Sequence, residues 1–159
     1  MKTAVFYEHI LEGAKQSGKS VAELMEKCAS WNIRGIEIGD ALLRENKEEI
    51  KDLLEKNHMQ VSCSNAFYDF GHNPDAAQGK KQIDLAEEFG VSKVLIIPGE
   101  LSENEASALN ALSASKEQTD SYMSENASIQ NMVQALKELV AYGKEKNILV
   151  TLEDFDGPG

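Results

Sequence analysis

Short β-rich runs alternate with longer amphipathic helical periods along almost the whole chain, and this alternation limits the fold more than any other feature. The first run is Thr3 to Tyr7. A capping box follows, Ser20 with Glu23 three residues on, and opens a helix whose apolar face is Val21, Leu24, Met25 and Cys28. Gly35-Ile36-Glu37-Ile38-Gly39 is a short strand bounded by glycines. A second helix is predicted from about Leu42 to Lys56, with Leu43, Ile50, Leu53 and Leu54 inward and Asn57 as its cap. Gln60 to Ser64 forms the third strand.

Asn73 then caps a helix with Pro74 at its first position, burying Ala77, Ile83, Ala86 and Phe89 and stopping at Gly90. Val94-Leu95-Ile96-Ile97 is the unbroken apolar run expected of a parallel strand. Met132, Val133, Leu136, Leu139 and Val140 mark the fourth large helix, and Ile148 to Leu152 the fifth strand. The pattern is βαβαβαβαβ, which repeated crossovers turn into a parallel α/β sheet. The 159 residues fit one domain, 1–159. Gly99 to Asn126 breaks the rhythm, with Glu105 to Leu112 as a possible short helix inside it. It is either a solvated connection or a lid over the C-terminal rim of the sheet.

Charge narrows the function classes. A formal net charge of −11, with no clustered Lys or Arg, argues against a nucleic-acid partner and against an anionic membrane surface. The first residues are interrupted by Glu8 and His9 too early for a signal peptide, and no apolar stretch approaches a membrane span. A cytoplasmic location is the expectation. Cys28 and Cys63 lack metal-type spacing and read as buried thiols in a reducing compartment, the alternative being a nucleophile.

Two parallel architectures remain. A flavodoxin-like doubly wound sheet would place a phosphate-binding turn after the first strand. Glu8-His9-Ile10-Leu11-Glu12-Gly13 offers two acids and one glycine there, and no GxGxxG or Walker loop occurs. That fold survives as a topological alternative, a non-catalytic module binding a small ligand or protein. The other is a partial (β/α)8 TIM barrel: the pace of strands and helices matches a fold that needs eight units in about 250 residues.

Three segments in order, Gly35-Ile36-Glu37-Ile38, Val94-Leu95-Ile96-Ile97-Pro98-Gly99 and Val150-Thr151-Leu152-Glu153-Asp154-Phe155, resemble the xylose-isomerase-like TIM barrels. These are sugar and sugar-phosphate isomerases and epimerases. The resemblance implies that Glu153, ending strand five, ligates a catalytic divalent metal (Mn, Mg, Co or Zn) and serves as a proton-transfer base. Strand periodicity agrees, since Thr151 and Glu153 share a face. It implies substrate-pocket roles for Glu37 at the end of strand two and for Ser64, Asn65 and His72 after strand three. Tyr7, ending strand one, either contacts the sugar or packs in the core. His9 and His58 read as ordinary surface residues.

The resemblance also implies that the other metal ligands lie on strands six to eight, beyond Gly159. A lone carboxylate does not hold a hard divalent ion. The chain is therefore expected to be inactive by itself and to self-associate or pair with a missing C-terminal half, because its sheet leaves unpaired edges and an uncovered face.

Overall fold

A computed structural model describes residues 3–153 of the chain. Five strands form one sheet in the order β1-β2-β3-β4-β5, all parallel. They are β1 (Ala4–Phe6), β2 (Gly35–Gly39), β3 (Gln60–Phe67), β4 (Lys93–Ile97) and β5 (Leu149–Leu152). This order decides between the two architectures. Each right-handed crossover that steps to the next strand in the same direction places its helices on the same side. A doubly wound sheet must reverse direction at a switch point. No reversal occurs among the described strands, so the flavodoxin-like alternative is overturned and the sheet is the open wall of a TIM barrel.

Burial follows the same asymmetry. Ile36, Ile38, Val94 and Ile96 have no exposed surface and join the core with Leu43, Ile50, Ile83 and Leu139 from the helices. The residues between them on the strands, Glu37 and Leu95, are only half-buried. One face is thus a helix-covered core; the other carries Glu37, Asn65, Phe67 and Leu95.

The helical layer corrects several expectations. A helix absent from the sequence reading, α1 (Tyr7–Ser17), starts directly after β1 and buries Tyr7 and Ile10; Gly18 ends it in the left-handed region at φ 68°. Tyr7 therefore opens α1 instead of ending a strand. The next helix, α2 (Val21–Ser30), carries the predicted Ser20–Glu23 capping box. The expected second helix is two, α3 (Asp40–Glu45) and α4 (Lys47–Asn57). They divide at Asn46, whose amide donates to the Leu42 carbonyl, and α4 ends on His58 in the left-handed region instead of on Asn57.

Asn73-Pro74 does not start α5 (Ala77–Glu88). The Asn73 side chain accepts from the Asp75 N–H and Asp75 in turn accepts from the Ala77 N–H. These two Asx turns delay the helix by three residues and bury Ala76, leaving Ala77 exposed. The 99–126 connection holds two helices, α6 (Glu103–Leu112) and α7 (Lys116–Glu125), neither with a buried residue. The last, α8 (Ala127–Glu145), buries Ala135 and Leu139, whereas Val140 faces solvent. No described helix is long and apolar enough to cross a membrane.

Candidate active site

The C-terminal ends of the parallel strands form one rim, where barrels of this kind place reactive groups. A cleft of ≈ 340 Å³ opens there on the uncovered face, lined by Phe6, Glu8, His9, Glu37, Asn65, Phe67, Leu95, Ile97 and Glu153. Every strand or its immediate extension contributes. Two-residue periodicity aims Glu37, Asn65, Phe67, Leu95 and Ile97 at this face, and Glu153 follows β5 in the same register as Thr151. Thr151 fixes that end of the sheet, its hydroxyl donating to the Val94 carbonyl at 2.8 Å. The continuation Asp154-Phe155 lies outside the described residues.

A register shift at Ile36/Glu37 sets the arrangement. Ile36 pairs with Val61 but Glu37 with Cys63, so Ser62 is an extra residue on β3, its hydroxyl donating to the Ile36 carbonyl at 2.8 Å. After this bulge Ser64 and Asn65 fall on opposite faces. Asn65 hydrogen-bonds the Glu37 carboxyl on the open side. Ser64 turns into the core, 1% exposed, with its hydroxyl lacking a partner there. The expected pocket role of Ser64 does not match that position, whereas Tyr7, 3% exposed among core side chains, takes the packing alternative. Burial, with Glu49 adding to it, raises the Tyr7 hydroxyl pKa.

The electrostatics centre on Glu37. Burial raises its pKa, and the charges of Glu153 and Glu8 raise it further against the opposing pull of Lys93 and the Asn65 hydrogen bond. Glu8 comes from the first turn of α1. Its carboxylate accepts the Gly39 N–H at 2.8 Å and supplies the anionic group at the start of α3 that a glycine cap lacks. In the sequence Glu8 and His9 count against a signal peptide and a phosphate turn, and neither is marked as a site residue. His9 packs edge-on against Phe6 at 5.4 Å and lines the cleft. The legible sign was the Tyr7, Ile10, Leu11 apolar spacing, which makes residues 7–17 a helix and projects Glu8 over the rim.

His72 stands apart, in the connection from β3 to α5. Its Nδ1 lies 2.7 Å from Asp69, which raises the His72 pKa by hydrogen bonding and charge. With Asp69 it lines a second cleft of ≈ 730 Å³ together with Phe67, Tyr68, Ile97, Gly99, Glu100, Leu101, Ser102 and Ala106. Gly99 closes its floor at φ 121°. A Cβ there would sit 3.1 Å from the Tyr68 carbonyl oxygen, so only glycine lets β4's extension lie this close. The start of α6 borders the cleft.

Neither thiol is set up as a nucleophile. Burial raises the Cys28 pKa, and pushes Cys63 up to about 11 with help from Glu37. As for a metal, no group of three His, Cys, Asp or Glu side chains among the described residues is arranged to hold one. Burial raises the Glu37 pKa and Asn65 hydrogen-bonds it, and Glu8 is engaged by Gly39. These residues do not fit a divalent ion.

Comparison with known proteins gives a family and a fold. Residues 25–159 match the family model described as xylose isomerase-like TIM barrel. A search of curated proteins finds no match. Among solved structures, a sugar phosphate isomerase/epimerase from Parabacteroides distasonis superposes with a TM-score of 0.61 at 14% identity, covering 99% of this chain and 56% of that one. A xylose isomerase domain protein from Planctomyces limnophilus gives 0.55 at 13% identity, covering 98% and 55%. The chain thus spans little more than half the length of either.

Proposed function

This chain belongs to the xylose isomerase-like TIM barrel family, and from that premise we propose that it supplies the first five strands of a sugar isomerase or epimerase. In this reading Glu153 carries the reactive proton. Its carboxylate removes a proton from the carbon next to the sugar carbonyl, giving an enediolate; either it returns that proton to the neighbouring carbon while the adjacent hydroxyl proton passes to the former carbonyl oxygen, or a second acid opposite Glu153 protonates the other face of the same carbon. The first outcome is aldose–ketose isomerisation and the second epimerisation. Glu37, held by Asn65, offers a carboxyl group within reach of sugar hydroxyls. The observation that carries the proposal is the single cleft that joins Glu153 to Glu37 and Asn65 on the uncovered face.

The expected divalent metal would rest on Glu153, but the described residues do not form a site for it. Stabilising the enediolate charge calls for a cation, and no Lys or Arg lines this cleft among the described residues. The isolated chain is accordingly proposed to bind sugar without turning it over, and to complete its site by association with a further barrel segment or another copy. The names of the solved relatives support sugar chemistry and leave open whether a phosphate is carried.

Amide NMR of the labelled chain titrated with D-fructose and D-glucose tests this. Shifts at Glu37, Asn65, Leu95, Thr151 and Glu153 are expected. A silent rim, or shifts confined to the opposite end of the strands, would overturn the proposal.

A further inference from the structure

Below the rim, the uncovered face carries one row that holds both an acid and a base. Phe6 pairs with Glu37, Glu37 with Cys63, and Lys93 with Leu149. Cys63 and Lys93 immediately precede the paired residues Ser64 and Val94, so the row continues from β3 to β4. Val94 and Ile96 are buried in the helix-covered core, and strand alternation turns Lys93 the other way, onto the face of Glu37. Glu37 and Lys93 both line a cleft of ≈ 590 Å³ at the N-terminal ends of the strands. Glu37 also lines the Glu153 cleft above, so it stands between the two.

The interior of such a barrel is ordinarily filled by branched apolar side chains. Neighbouring strands lie about 4.8 Å apart, so the Glu37 and Lys93 backbones, one strand between them, are separated by roughly 10 Å. The lysine stem is long enough to carry its ammonium over Cys63 toward the carboxyl. The thiol between them registers both charges: burial raises the Cys63 pKa first, Glu37 raises it further and Lys93 opposes them. The titratable groups around Glu37 are Glu8 and His9 from α1, Cys63 from β3, Lys93 from β4 and Glu153 after β5. Burial, Glu153 and Glu8 favour a neutral Glu37, and Lys93 supplies the opposing positive charge. Arg34 and His58 line the lower cleft but not the upper one.

We infer that Lys93 is a positioning residue for the sugar site: from below the rim its ammonium keeps the Glu37 carboxylate charged, as an acceptor for a sugar hydroxyl, against the two neighbouring acids. A charged carboxylate accepts a hydroxyl hydrogen bond roughly twice as strongly as a neutral group does. Lys93 thus acts on the sugar through Glu37 and does not touch it. The inference rests on the reading of the Glu153 cleft as the sugar site, but its first readout is made without sugar, so the two fail separately.

The test compares the native chain with Lys93→Met, which keeps the stem without the charge, and Lys93→Arg, which keeps the charge. Lys93 is exposed, so both variants are expected to fold, as an amide spectrum checks. Carbon-detected NMR of the Glu37 carboxyl should give a higher midpoint in Lys93→Met and a near-native one in Lys93→Arg. D-fructose is then titrated at a pH between the native and Lys93→Met midpoints. Lys93→Met is expected to bind about tenfold more weakly there, and Lys93→Arg to bind as the native chain does. Above both midpoints the three chains should converge. An unmoved Glu37 midpoint in Lys93→Met overturns the inference. So does a loss of fructose binding that persists above both midpoints, which marks a packing role. Fructose moving neither Glu37 nor Glu153 in the native chain overturns the sugar site, while the midpoints still decide whether Lys93 governs the Glu37 charge.

Discussion

Gln82 has no exposed surface, yet its amide makes three hydrogen bonds. It donates to the Ser64 carbonyl at 3.0 Å and the Leu95 carbonyl at 3.4 Å, and accepts from the Tyr68 hydroxyl at 2.9 Å. One α5 side chain thereby ties together β3, β4 and the segment leading to His72. Gln82→Leu keeps the volume but strands the Tyr68 hydroxyl and weakens the carbonyls, an expected loss of about 1–3 kcal/mol read by urea denaturation. Nothing in the sequence marked Gln82, because its partners are 13 to 18 residues away and its helix face reads as apolar without it. Glu37 was legible for the opposite reason: alternation within β2 alone puts it on the face away from Ile36 and Ile38. Asn65 and Ser64 were reached only through the resemblance, because the bulge at Ser62 resets the alternation of β3 and nothing local in Gln60–Phe67 marks it.

At the scale of elements, strands were easier to read than helices. Gly35–Gly39 was delimited correctly by its glycines, and β4 and β5 differ from expectation by one residue each. β3 runs to Phe67, three residues further, since its end is set by pairing with Ile97 and not by any local breaker. Helix starts went astray where side chains bind nearby backbone: at Asn46, which divides α3 from α4, and at Asn73 and Asp75, which hold α5 back. The α8–β5 junction has a testable constraint. A Cβ on Gly143 would stand 2.7 Å from the Ile148 carbonyl oxygen and 3.0 Å from Val150. Alanine gains up to about 1 kcal/mol in helix propensity. The clash with backbone outweighs it, so Gly143→Ala is expected to lower stability by a net ~1–2 kcal/mol, measured by thermal unfolding.

For the whole molecule, strand order is the consequential fact, and the sequence could not supply it. Parallel strands joined by helices are compatible with either a reversing or an advancing sheet, and only pairing in space distinguishes them. Among the described residues, an advancing sheet leaves β1 and β5 each with one unpaired edge. It also leaves Phe6, Phe67, Leu149 and Leu152 substantially exposed. A parallel sheet covered on one face only is rarely stable in water. Self-association is therefore expected, with the mass measured by light scattering during size-exclusion chromatography rising with concentration despite the net charge of −11. A folded monomer whose mass is constant across dilution would contradict it.

The most direct test of the shared carboxylate cleft is a carbon-detected NMR titration of the Glu37 carboxyl in the native chain and in Glu153→Gln. Burial raises the Glu37 pKa first, and the Glu153 charge adds to it. A raised carboxyl pKa adds stability that is complete below the unfolded value and is lost as pH rises through the folded one. With Glu153 neutralised, the Glu37 midpoint should fall, and the loss of stability with rising pH should be smaller and complete at lower pH. An unchanged Glu37 midpoint would mean that the two carboxylates do not face one another, and the proposed site would go with it.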